Sequence, residues 1–123
     1  MKVLKPVLVL IIGSALGWAL WHFSEGATGS KEPWDAGGLY FMGGLYVAGI
    51  LATVVSPRNF FWAPVGVIIG QILFQFINIG LSPFFLLGCL FHILYGAIAL
   101  AGAATYFGLY ELIRGRMDIT AVD

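Results

Sequence analysis

Between positions 71 and 95 the chain carries the side chains best able to do chemistry. Gln71, Gln75, Asn78 and then Ser82 recur at i, i+4, i+7 and i+11, and at about 100° per residue in a helix they share one narrow stripe. His92 and Tyr95 follow in the same uncharged stretch. Amides, an imidazole and a phenol can bind a polar ligand or pass a proton, but an amide in apolar surroundings is costly unless paired. The stripe must therefore face protein or a polar cavity.

Two readings of these residues follow. In the first, Gln71, Gln75, Asn78, His92 and Tyr95 bond one another and fix the register of a helical hairpin, each interhelical bond contributing about 0.6 kcal/mol. In the second they form a ligand, ion or proton site, because an ionisable residue inside a membrane segment is by default a site candidate. A turn at Ser82-Pro83 puts Gln75 level with His92, Asn78 with Cys89, and Gln71 near Tyr95 and Gly96. His22 and His92 are the two histidines and so the one axial pair open to a haem, although their expected depths differ. The single cysteine, Cys89, excludes an internal disulfide, a CxxC redox pair and a cysteine zinc site. HExxH, P-loop, GxGxxG and GxSxG motifs are missing, as is a pair of carboxylates within the apolar stretches. The sequence names no cofactor.

The elements that must position these residues are set by composition. Of 123 residues, 60% are hydrophobic and 10% charged, and mean hydropathy is +0.96. Six Lys+Arg and six Asp+Glu cannot cover the surface of so small a soluble protein, so lipid is the expected outer solvent. Net charge is zero and basic residues do not cluster, which argues against nucleic acid as a partner. Uncharged stretches run from Pro6 to Ser24, from Ala36 to Pro57 and from Asn59 to Tyr110. As one helix the last would be roughly 78 Å long against a hydrocarbon core of about 30 Å, so it must turn back, and Ser82-Pro83 is where it can. The expected fold is an all-α membrane protein, an antiparallel bundle of four transmembrane helices in one domain. The helices are placed at Pro6–Phe23, Ala36–Val55, Ala63–Leu81 and Pro83–Leu112.

Orientation follows from the basic residues, which are in excess in cytoplasmic loops. Lys2, Lys5, Arg58, Arg114 and Arg116 fall on one side of such a bundle and Lys31 on the other, giving cytoplasmic N- and C-termini in a bacterial-type inner or plasma membrane. The loop from Ser24 to Asp35 is then extracytoplasmic, with Trp18, Trp21, Trp34 and Tyr40 at that face and Trp62, Tyr106 and Tyr110 at the other. The basic, apolar N-terminus resembles a secretory signal, but no A-x-A site follows it, so a retained first helix is expected.

Small residues fall at helix-packing spacing: Gly13 and Gly17; Gly44, Ala48 and Ala52; Gly66 and Gly70; and Gly88, His92, Gly96, Ala99 and Ala103 on the last helix. The flanks of Ser56-Pro57 and Ser82-Pro83 do not match, so no internal duplication is expected. With packing surface abundant and catalytic groups lacking, the leading expectation is a non-catalytic accessory subunit or assembly factor of a larger membrane complex. Its partners would be the lipid bilayer and other transmembrane subunits, or further copies of itself. The alternative is a small oligomeric channel or transporter using the Gln/Asn/His stripe. A haem- or quinone-binding redox protein is the third.

Overall fold

The computed structural model describes residues 3–30, 32–33 and 39–122, with side chains to residue 117. Its long elements are α1 (Leu4–His22), α3 (Tyr40–Val54), α4 (Trp62–Asn78) and α5 (Phe85–Val122), with a short α2 (Ser24–Thr28) after α1 and a 3-10 turn (Pro57–Asn59) before α4. No strand occurs among the described residues, so the protein is all-α. α1 and the Phe85–Met117 part of α5 are each long and apolar enough to cross a membrane. α3 and α4 are apolar but shorter, at 15 and 17 residues.

The helix ends differ from expectation for local reasons. α4 stops at Asn78 rather than Leu81 because Gly80, at φ +90°, turns the chain into the left-handed region. The N–H groups of Ile79 and Gly80 both donate to the Gln75 carbonyl, at 2.9 and 3.0 Å, the double bond of a glycine C-cap. α5 begins two residues after Pro83, once Phe85 N–H has reached Ser82 O at 3.0 Å, and runs on to Val122 instead of ending at Leu112. The loop after α1 folds its first part into α2, which Gly29 (φ +82°) closes. The buried Ser24 hydroxyl there donates to Ser30 O at 2.6 Å. Residues 34–38, and with them Trp34 and the expected start of the second helix at Ala36, lie outside the described residues, as do Lys2 and Lys31.

The tight turn expected at Ser56 to Asn59 is present. Asn59 Nδ2 donates to Ser56 Oγ at 2.7 Å, and Asn59 N–H to Ser56 O at 3.0 Å. Arg58 is exposed there, 3.9 Å from the Glu111 carboxylate of α5, so the turn lies beside the far part of that helix.

Chain neighbours run in opposite directions. Tyr40 Oη donates to Leu20 O at 2.6 Å at one end of α1 and α3, while Val9 and Ala52 share a buried cluster at the other. The most extensive packing, however, joins α1 to α4 and α3 to α5, helices that are not consecutive. A Cβ on Gly13 would stand 2.8 Å from Ala63 O, and one on Gly17 would overlap the Val67 carbonyl. Reciprocally, a Cβ on Gly66 would meet Leu10 O and one on Gly70 would meet Ser14 O. Higher numbers face higher numbers, so α1 and α4 run parallel, with each GxxxG seated on the other backbone.

α3 and α5 repeat the device, Gly49 against Ala99 O and Gly102 against Tyr46 O. A constant shift takes Gly17 to Gly49, Val67 to Ala99, Gly70 to Gly102 and Ser14 to Tyr46. Because α1 and α3 are antiparallel, the second pair repeats the first with its direction inverted. The flanks of the two Ser-Pro dipeptides could not show this, since the repeat joins interleaved helices rather than successive hairpins.

Replacing Gly17 or Gly70 by Ala should cost about 1–3 kcal/mol, because the intruding methyl meets backbone that cannot rotate away. The control is Gly43→Ala, where a Cβ meets nothing within 4 Å and the change should stay within about 0.5 kcal/mol. Unfolding in mixed micelles measures both, and equal effects would contradict the seated-glycine account.

Candidate functional site

The polar residues gather where the end of the α1/α4 pair meets the start of α5. Gln71 is 0% exposed, and its Oε1 accepts the indole N–H of Trp21 from α1 at 2.9 Å. Its Nε2 donates to Val67 O at 3.3 Å, so both ends of the amide are used. One turn later Gln75 faces the other way: its Oε1 lies 2.8 Å from Nε2 of the fully buried His92 on α5. With the amide oxygen as acceptor, that ring nitrogen carries the hydrogen. The rings of Trp21 and His92 meet edge to face at 5.3 Å, which joins the two hydrogen bonds into one cluster drawn from three helices.

Gly88 makes the α5 side possible. A Cβ there would lie 2.8 Å from Gln75 Nε2, so the glycine lets the amide rest directly on the helix without shifting. The small face expected for the last helix is seen as predicted, with Gly88, His92, Gly96, Ala99 and Ala103 all buried.

The expected contact between Gln75 and His92 is therefore present, but the five residues do not form one buried group. Asn78 is exposed and bonds its own helix, Nδ2 donating to Phe74 O at 3.1 Å. Tyr95 is half-buried and packs edge to face on Phe41 of α3 at 4.9 Å. Gln71 pairs with α1 rather than approaching Tyr95 and Gly96. At about 100° per residue Gln75 lies some 40° to one side of Gln71 and so turns toward α5, whereas Asn78, only some 20° to the other side, is the last residue of α4 and lies about two turns beyond the Trp21–Gln71 contact at the end of α1.

Trp21, expected among the aromatic residues of the extracytoplasmic face, is 1% exposed and holds the centre of the cluster. The signal was available: Gly13, Gly17 and Trp21 follow i, i+4 and i+8, which puts the indole on the glycine face. His22 points elsewhere, exposed, with its ring against Phe23 at 4.9 Å. The two histidines thus sit in different surroundings, and no group of three His, Cys, Asp or Glu able to hold a metal ion occurs among the described residues.

Beside the cluster opens a cavity of about 530 Å³. Gln75, Ser82, Glu32 and Tyr95 supply its polar groups, and Phe84 and Phe91 are among its apolar walls. An amide anchored by His92 at the edge of an apolar chamber can orient a ligand by one or two hydrogen bonds. Comparison with protein-family models, with curated proteins and with solved structures gives no match.

Gln75→Leu alone removes the acceptor from the buried His92 Nε2 and should cost about 1–3 kcal/mol. Gln75→Leu combined with His92→Leu should recover most of that loss, since replacing both partners by apolar groups can be nearly neutral. A double-mutant cycle read by thermal unfolding gives the coupling, and strict additivity would refute it.

Proposed function

We propose that this chain is an integral membrane protein of four spans, with its N- and C-termini in the cytoplasm, acting as a non-catalytic accessory or assembly subunit of a larger membrane complex. The observation that carries the reading is the length and surface of α5. Its 38 residues extend roughly 57 Å, about twice the hydrocarbon thickness. Beyond that thickness Tyr106, Leu109, Tyr110, Ile113 and Met117 fall at i, i+3, i+4, i+7 and i+11 and border, with Arg114, a shallow cavity of about 350 Å³. Leu109, Ile113 and Met117 are exposed. A helix of another subunit leaving the bilayer at the same place would cover this stripe.

The four-span reading is supported by the glycine contacts. α3 and α4 measure about 22 and 26 Å, short of a bilayer by themselves, but each is seated along a longer parallel partner and crosses with it. The Arg58–Glu111 pair brings the turn after α3 close to Arg114 and Arg116, which gathers basic residues at one end, the cytoplasmic one by the positive-inside rule.

A photocrosslinker at Ile113 or Met117 should capture a heterologous membrane subunit in intact membranes. Capture of further copies of this chain alone would count against the accessory role. Orientation has its own check in a Cys89→Ser background. Cysteines at Glu25 and at Arg58 should be labelled by an impermeant maleimide from opposite sides of the membrane, and labelling from the same side would overturn the four spans.

The cavity beside Gln75 favours a second reading, a small oligomeric channel or transporter. On that reading the Gln75→Leu, His92→Leu double variant folds but no longer moves its solute.

A further inference from the structure

At the C-terminal end of the α1/α4 pair lies a second, smaller cavity of about 220 Å³, walled by Trp21, His22, Glu25, Phe74, Asn78 and Ile79. It is separate from the Gln75 chamber in all but Ile79, which borders both. We propose that this cavity binds a primary ammonium group.

Three aromatic rings surround the space. Trp21 and Phe74 stand with centroids 6.0 Å apart, and His22 lies 6.5 Å from Phe74. Ring faces attract cations, more strongly where water is partly excluded. Glu25 brings the one formal charge in the wall, and no described residue pairs with its carboxylate. The Asn78 amide spends its N–H on Phe74 O, which leaves its oxygen as an acceptor for a ligand.

The fold adds to the same sign of potential. The C-terminal end of α4, at Asn78, comes to this place with the negative end of its helix dipole, whereas the end of α1 at His22 is followed at once by the N-terminus of α2, with Glu25 in its first turn. Rings, a carboxylate, an amide oxygen and the α4 C-terminus all favour a cation. The kind of cation follows from the donors. A divalent metal asks for six or more oxygens, which this wall lacks. A quaternary ammonium would leave the two oxygen acceptors unused, whereas a primary ammonium offers N–H groups to Glu25 and Asn78 while its carbon lies against the rings.

A small free amine and the headgroup of an ethanolamine lipid carry the same chemistry. The lipid source additionally rests on the membrane orientation proposed above. The experiment uses the full chain in a detergent free of aminolipid, titrated calorimetrically with ethanolamine and, separately, with tetramethylammonium. Ethanolamine should bind at least tenfold more tightly than tetramethylammonium.

Glu25→Gln should weaken ethanolamine binding at least tenfold, and Asn78→Asp, which adds a second carboxylate, should strengthen it severalfold. Both positions are exposed, and an unchanged helical melting curve confirms that each variant folds. Native mass spectrometry from nanodiscs of phosphatidylglycerol, with and without phosphatidylethanolamine, separates the sources. Retained phosphatidylethanolamine that Glu25→Gln releases marks the lipid; ethanolamine binding without it marks a free amine. Binding that is indifferent to Glu25→Gln, or absent for both ethanolamine and the lipid, overturns the proposal without touching the accessory role, which is read at α5.

Discussion

The contact between the glycine face of α1 and that of α4 sets what the other elements can do. Two parallel helices approach until each backbone carbonyl meets a position with no side chain, at Gly13 and Gly17 on one and at Gly66 and Gly70 on the other. In lipid such contact is favoured by close van der Waals packing rather than by expulsion of water, so it demands an accurate fit along the helix. A shift of one residue would drive a methyl or larger group into backbone. The depth of α4 against α1 is therefore fixed, and with it the meeting of Trp21, one turn beyond Gly17, with Gln71, the residue after Gly70.

From that fixed pair the polar cluster takes a plain physical role. Gln71, held by the Trp21 indole, and Gln75, held by His92, tie α4 to α1 on one side and to α5 on the other. Each bond contributes modestly, but any alternative packing would leave an amide or an imidazole buried without a partner, and that is expensive. The same arrangement leaves Gln75 at the edge of a chamber, so residues that secure the fold also give one face of it a polar character. Structure and binding share side chains here, which is why the double replacement, and not the single one, separates them.

Much of this was legible in the sequence. The uncharged stretches located the helices, the small-residue spacings gave the faces on which α1 and α4 pack but not Gly49 and Gly102, which seat α3 on α5, and the antiparallel register about Ser82-Pro83 paired Gln75 with His92. The helix ends were less so, because a C-cap depends on Gly80 taking a positive φ, which the neighbouring Ser-Pro masked. Asn78 and Tyr95 were grouped with the cluster because a stripe was treated as facing a single neighbour. Gln75 turns to α5, while Asn78, at the last residue of α4, lies beyond the end of the α1 partner that covers Gln71. Trp21 follows Gly13 and Gly17 at i+8, and that place on the glycine face is what buries it against α4.

The pairing of α1 with α4 and of α3 with α5 also has a consequence for biosynthesis. The indole of Trp21 and the amide it serves are 50 residues apart. At about 5–20 residues per second, α1 is complete some 2.5–10 seconds before its partner emerges from the ribosome. Throughout that interval its glycine ridge lacks the surface it is shaped to meet. α3 is made next, and its own glycine partner, α5, comes only after α4, so neither strong interface can close on the segment that immediately follows it. The nascent chain must hold two unsatisfied ridges until α4 closes on α1, and that of α3 for one helix longer.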